Sequence, residues 1–196
     1  MILLMDNYDP CMRDMYKALS ELDGDICVVR CDEMTAEAVR QFCPQAIVIS
    51  SGTGTPEDTG VCMEVIRHFA GKVPILGIGL GGLTVAACFG GVQKKILSDE
   101  TAPFHIGFAV QSRLFAGMKP VIGCKEPYAY TVQEDTLPEC LRVTARDQFG
   151  QLAALEHTEH KTYALCFRPE ALMQDAGKKI LENLIQMISK KEREEF

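Results

Sequence analysis

Residues 73–92 read VPILGIGLGGLTVAACFGGV, a stretch without a single charge. Pro74 to Ile78 has the apolar character of a buried strand. Gly79 to Gly82 is a glycine turn, and a helix starts from Leu83 onward. A strand that breaks sharply into a helix exposes one side chain above the sheet edge, which is where α/β enzymes place a nucleophile. Here the apex residue is Gly79, which has no side chain. Two other readings compete. Gly77, Gly79 and Gly82 spell G-x-G-x-x-G, with Asp99 or Glu100 about twenty residues further on, as in a dinucleotide-binding turn. That fingerprint normally opens its domain, whereas several elements precede it here. The stretch could also be a close-packed glycine turn with no chemistry. Its glycines and Pro74 argue against a membrane span.

Upstream, strands and helices alternate. Ile2 to Met5 is an apolar run ending at Asp6, which suits a buried parallel strand. Asp9 is placed to cap the next helix, with Pro10 at its first position. Met12, Met15, Tyr16 and Leu19 give that helix an apolar face, and Asp23-Gly24-Asp25 ends it. Ile26 to Arg30 is a second strand, Thr35 to Cys43 a short helix, and Ala46 to Ile49 a third strand. The third strand runs into Ser50-Ser51-Gly52-Thr53-Gly54-Thr55-Pro56, a loop of small residues whose N–H groups can cradle an anion. Glu57 to Ala70 reads as a helix. This β-α alternation predicts a parallel sheet with helices on both faces.

Downstream the period changes. Phe104–Gln111, Pro120–Cys124, Leu141–Arg146, Gln151–Glu156 and Tyr163–Phe167 are short apolar or alternating runs separated by turns. They predict antiparallel strands that extend the sheet. A helix from about Asp175 to Lys191 closes the chain. The fold class is therefore α/β, an open and mostly parallel central sheet with antiparallel strands in the C-terminal half. Residues 1–196 read as one domain, without internal repeat or linker.

The chain has 196 residues, 47% of them hydrophobic, and a net charge of −7. That size supports a sizeable core, and the acidic balance disfavours nucleic acid or an anionic membrane as partner. Nine cysteines without a C-x-x-C motif, behind an N-terminus that lacks the features of a signal peptide, point to free thiols in a reducing cytoplasm. His68, His105, His157 and His160 lack metal-ligand spacing, so no metal or other cofactor is expected.

Several segments together carry a resemblance: MILLMDNYD, AIVISSGTGTPED, PILGIGLGG, CFGGV, TLPECLRVTA, FRPE and the closing GKKILENLI. In these the chain resembles the class I glutamine amidotransferases, most closely the small subunits of anthranilate and aminodeoxychorismate synthase. The resemblance implies a cysteine at the elbow that attacks glutamine, and a histidine base oriented by a glutamate two residues on. It also implies an oxyanion site from the third-strand loop and the residue after the cysteine, and a partner synthase that receives ammonia.

At the positions that match this machinery the chain departs from it. The cysteine position is Gly79 and the histidine position is Arg168, while the glutamate remains as Glu170. Gly-His-Gln after the elbow is replaced by Gly81-Gly82-Leu83, and Pro-Gly-Pro-Gly by Ser51-Gly52-Thr53-Gly54. His-Ser-Leu, which grips glutamine, aligns with Tyr128-Ala129-Tyr130. A histidine-containing segment near the partner interface aligns with Leu97-Ser98-Asp99-Glu100. The resemblance thus outlines a pocket of Gly52, Thr53, Gly54, Leu80, Leu83, Tyr128, Ala129 and Tyr130 with no expected catalytic residue. Arg168 does not lose its proton at working pH, so it is no general base. It could pair with Glu170 or bind an anion. Cys88 is about 13 Å down the helix at 1.5 Å per residue. Cys166, two residues before Arg168, could share its face and gain thiolate character from it.

The leading expectation is a subunit without glutaminase activity that binds or regulates a synthase-type protein. A repurposed binder of an acidic small molecule, a carboxylate or phosphate held by Tyr128, Tyr130 and Arg168, is the first alternative. An active glutamine amidotransferase is the second.

Overall fold

The computed structural model describes residues 1–96 and 103–189. The apolar runs of the first half form β1 (Ile2–Asn7), β2 (Ile26–Arg30), β3 (Ala46–Gly52) and β4 (Ile75–Ile78). Between and after them lie α1 (Met12–Ser20), α2 (Ala36–Gln41), α3 (Cys62–Phe69) and α4 (Leu80–Cys88). The second half adds β5 (Gln93–Lys95), β6 (Phe104–Phe108), β7 (Val121–Cys124) and β8 (Tyr130–Val132). It ends with β9 (Leu141–Asp147), β10 (Leu152–His157), β11 (Thr162–Leu165) and α5 (Ala176–Ser189).

The main sheet has nine strands in the order β2-β1-β3-β4-β11-β10-β9-β6-β7. Strands β2, β1, β3, β4 and β11 pair in parallel, and the pairings from β11 through β7 are antiparallel. Side chains of β1 alternate between two cores. Ile2 and Leu4 face the layer of α1 and α5, whereas Leu3 and Met5 face the layer that holds α3 and α4. Burial on both faces is what makes these strands read as continuous apolar runs.

Beyond the start of α4, which falls at Leu80 rather than at the expected Leu83, three local expectations are corrected. The helix expected over Glu57–Ala70 is a 3-10 turn at Pro56–Asp58 followed by α3. Asp58 Oδ2 turns back to accept from the Thr55 N–H and hydroxyl, and Gly60 takes φ +56° with no room for a Cβ against the Cys31 carbonyl. Second, α1 starts at Met12 rather than Pro10: the expected cap Asp9 does accept the Cys11 N–H through Oδ1 at 2.9 Å, but in a turn ahead of the helix, whose N-cap is Cys11. Third, β5 and β8 form a separate two-stranded ladder that the sequence pattern did not indicate. Three-residue strands are too short to display a period of two.

His157 ends β10 and is buried. Its Nδ1 accepts the N–H groups of Glu159 and His160, each at 3.1 Å, while the His160 ring stacks at 4.1 Å. Burial, then the charge of His160, lowers its pKa below the ordinary 6.5. The unfolded chain therefore takes up this proton first, and stability drops as pH falls below 6.5 toward the folded-state pKa. His157→Asn keeps an acceptor in place of Nδ1 and removes the titration. Urea unfolding at several pH values should show wild type losing stability relative to this variant on acidification. Parallel profiles would rule out His157 as a source of acid sensitivity.

Candidate functional site

The carboxyl ends of β3, β4 and β11 meet at one edge of the sheet. Helix α4 is apolar on every side, with Leu80 through Ala86 buried, so it packs directly on the strands. Its glycines permit this. A Cβ on Gly81 would lie 2.3 Å from the Ile49 carbonyl oxygen, and one on Gly82 2.2 Å from that of Leu165. At the head of the helix Gly79 adopts φ +54° and ψ −117°. The sharp elbow is present although its apex has no side chain. The Gly79 N–H donates to the Leu165 carbonyl at 2.8 Å, and its carbonyl accepts from the Leu83 N–H at 3.0 Å. These bonds hold the turn from within the sheet and the helix.

A cavity of about 580 Å³ opens above the elbow. Gly52, Thr53 and Gly54 line it from the loop after β3, and Gly79, Leu80 and Leu83 from the elbow and α4. Tyr128, Ala129 and Tyr130 line it from the segment entering β8, and Arg168 from the turn after β11. The pocket residues named from the sequence are thus brought together. Glu170 does not line the cavity. It sits in a 3-10 turn (Pro169–Ala171) and is exposed. The segment Leu97-Ser98-Asp99-Glu100 lies outside the described residues.

The side chains differ from the expected arrangement in three ways. Arg168 does not turn to Glu170. Its Nη2 pairs with Asp9 Oδ1 at 3.0 Å, and its Nη1 donates to Cys11 Sγ at 2.7 Å. Asp9 is 6% exposed, so the pair is largely out of solvent. It ties the β1–α1 loop to the end of β11. Tyr128 donates its hydroxyl to Asp147 Oδ2 at 2.9 Å, and burial, reinforced by the Asp147 charge, pushes its pKa up. Cys166 gains no thiolate character, because burial pushes its thiol up to about 12. Cys88 is also held as a thiol by burial, with Sγ donating to the Met63 carbonyl.

Ser51 was not singled out from the sequence. It is 7% exposed and lines the cavity. Its Oγ lies 2.3 Å, and its Cβ 2.9 Å, from where a Cβ on Gly79 would stand. The side chain at the end of β3 therefore fills the volume that a nucleophile's first atom would need. The signal in the sequence was a serine where the resembled pattern carries a proline. No histidine lines the cavity among the described residues, and none of their His, Cys, Asp and Glu side chains cluster in threes to hold a metal ion. Among the described residues no helix is long and apolar enough to cross a membrane.

The sequence model of a family described as "Glutamine amidotransferase class-I" matches residues 3–187. The chain is 32% identical to the aminodeoxychorismate/anthranilate synthase component 2 of Bacillus subtilis, over 97% of this chain and 98% of that one. It is 34% identical to the aminodeoxychorismate synthase component 2 of Escherichia coli, covering 94% and 99% respectively. It is 36% identical to the bifunctional protein TrpGD of Thermotoga maritima, of which it spans 32%. Among solved structures, a Thermoplasma acidophilum protein assigned to GMP synthase superposes with a TM-score of 0.85. The match covers 99% of this chain and 96% of that one at 22% identity, a likeness of fold.

Proposed function

We propose that this chain, which belongs to the class I glutamine amidotransferase family, serves as the partner-binding subunit of a two-component synthase without hydrolysing glutamine itself. Its relatives named component 2 are parts of such synthases. The observation that carries the second half of the reading is the elbow. Gly79 keeps the turn, yet Ser51 Oγ stands 2.3 Å from the place of a Cβ. The position matching the base is an arginine engaged with Asp9 and Cys11. Neither a thiolate nor a base is then available for acyl transfer. The scaffold and its outer surface remain to dock a cytoplasmic partner, which would draw on free ammonia. We read residues 1–196 as a single amidotransferase-like domain.

Glutamate release from glutamine, measured on the purified chain alone and after native co-purification at low salt, tests this. The expected result is no release in either sample and a synthase-type protein retained in near-equal amount. Glutamine turnover that disappears in Cys166→Ser or Arg168→Ala would overturn it.

A further inference from the structure

The groups that looked suited to an anion in this cavity are already engaged. The Arg168 guanidinium is held by Asp9 and Cys11, and the Tyr128 hydroxyl by Asp147. A different set is free. Ser51 is 7% exposed, lines the cavity, and its hydroxyl has no hydrogen-bond partner among the described residues. Its neighbour Ser50 differs, since Ser50 Oγ accepts the Asn7 N–H and donates to the Ser51 carbonyl. The Ser51 side chain points toward the place a Cβ would take on Gly79, the N-cap of the nine-residue helix α4. Gly79 supplies no side-chain cap. The N–H groups of Leu80, Gly81 and Gly82 precede the first intrahelical bond, which Leu83 donates to Gly79. A helix start of this kind favours negative charge. The carboxylate that lines the cavity, Glu126, is exposed and is not part of the elbow. Leu80, Leu83 and Phe167 give the cavity apolar walls, and the rings of Tyr128 and Tyr130 add flat ones. At about 580 Å³ the cavity has the size of a small-molecule site.

We propose that the Ser51 hydroxyl and the first-turn N–H groups of α4 receive the carboxylate of a small acid whose flat or apolar body lies between Leu83 and Tyr130. The inference rests on the reading that this elbow no longer performs glutamine hydrolysis. The Ser51 hydroxyl has no counterpart in the proline that the resembled pattern carries there. It donates to one carboxylate oxygen while α4 supplies N–H donors to the other. Hydrogen bonds to a charged group are stronger than those between neutral groups, so a hydroxyl that lines the cavity on a 7% exposed residue, with no protein partner of its own among the described residues, has a specific use here.

The isolated chain is titrated with benzoate, benzamide, inorganic phosphate and L-glutamine, followed by calorimetry and by amide chemical shifts. Saturable benzoate binding is expected, with shifts confined to Ser51–Gly54 and Gly79–Leu83. Benzamide, which matches the shape without the charge, should bind at least about tenfold more weakly, as should benzoate to Ser51→Ala. The shift map on wild type stands even if Ser51→Ala fails to fold. Benzoate shifts elsewhere, equal binding of benzamide, or an undiminished affinity in Ser51→Ala would each overturn the inference. So would phosphate or L-glutamine binding at the elbow more tightly than benzoate. Absence of benzoate binding in a chain that releases no glutamate removes this inference alone, whereas glutamate release removes the reading beneath it.

Discussion

Gly79→Cys is expected to leave the chain without glutaminase activity and to lower its melting temperature by about 4–24 °C, taking roughly 2–4 °C per kcal/mol for a chain of this length. Two costs add. The new Cβ meets Ser51 Oγ at 2.3 Å and Ser51 Cβ at 2.9 Å, and overpacking of that kind costs about 1–3 kcal/mol. The residue must also hold φ +54° and ψ −117°, a region that costs a residue with a side chain about 1–3 kcal/mol. Rotation of the serine hydroxyl relieves only the first of the two contacts, because its Cβ remains. Ser51→Gly in the Gly79→Cys background clears both atoms and should recover a large part of the loss, a coupling that a double-mutant cycle measures. Activity stays absent in either case, since Arg168 cannot serve as base. Differential scanning calorimetry and a glutamate assay on the four proteins decide this. A Gly79→Cys variant that melts within about 1 °C of wild type would show that Ser51 does not fill the elbow.

Gly82→Ala should prevent folding altogether. In an ordinary helix interior this substitution gains about 1 kcal/mol, so the sign itself is the prediction. Here the added Cβ falls 2.2 Å from the Leu165 carbonyl oxygen and 2.9 Å from its carbon and nitrogen. These are backbone atoms of β11, which is paired to both β4 and β10 and has nowhere to move. Gly81→Ala meets the carbonyls of Ile49 and Ser50 at 2.3 and 2.7 Å and should behave alike. Losses above about 4 kcal/mol belong to a short list of mechanisms, and forcing a helix off its sheet is one of them. Gly24→Ala is the control. Nothing lies within 4 Å of its added Cβ, so its stability should stay within about 0.5 kcal/mol of wild type. Circular dichroism and yield of soluble protein separate the outcomes, and a soluble Gly82→Ala with native melting would refute the close packing of α4 on β11.

Strands β1, β3 and β4 were legible in the sequence because burial on both faces leaves an uninterrupted apolar run, and turns mark its ends. The elbow was legible because a glycine cluster between such a run and a helix is what a sharp reversal with a positive φ requires. The break between Pro56 and Cys62 was not, since Pro56 reads as a helix start and the apolar positions Val61, Val65 and Phe69 all lie beyond the break, where they mark α3 alone. What interrupts the helix is the Cys31 carbonyl, which accepts from Val61 and leaves no room at Gly60 for a side chain. The exchange of cysteine for Gly79 and histidine for Arg168 was plain in one dimension, but what stands in their places was not.

The sequence by itself determined the alternation of strands and helices in the first half, the turn at Gly79 and the absence there of a side chain that could attack. Each of these depends on the residue in place or on neighbours within one turn, so the local pattern carries it. Only the tertiary structure decided that Ser51 fills the elbow and that Tyr128 is committed to Asp147. It likewise turned Arg168 toward Asp9 and Cys11, residues more than 150 positions away. A guanidinium reaches several partners with similar geometry, and the choice among them follows from which loops the sheet order places side by side.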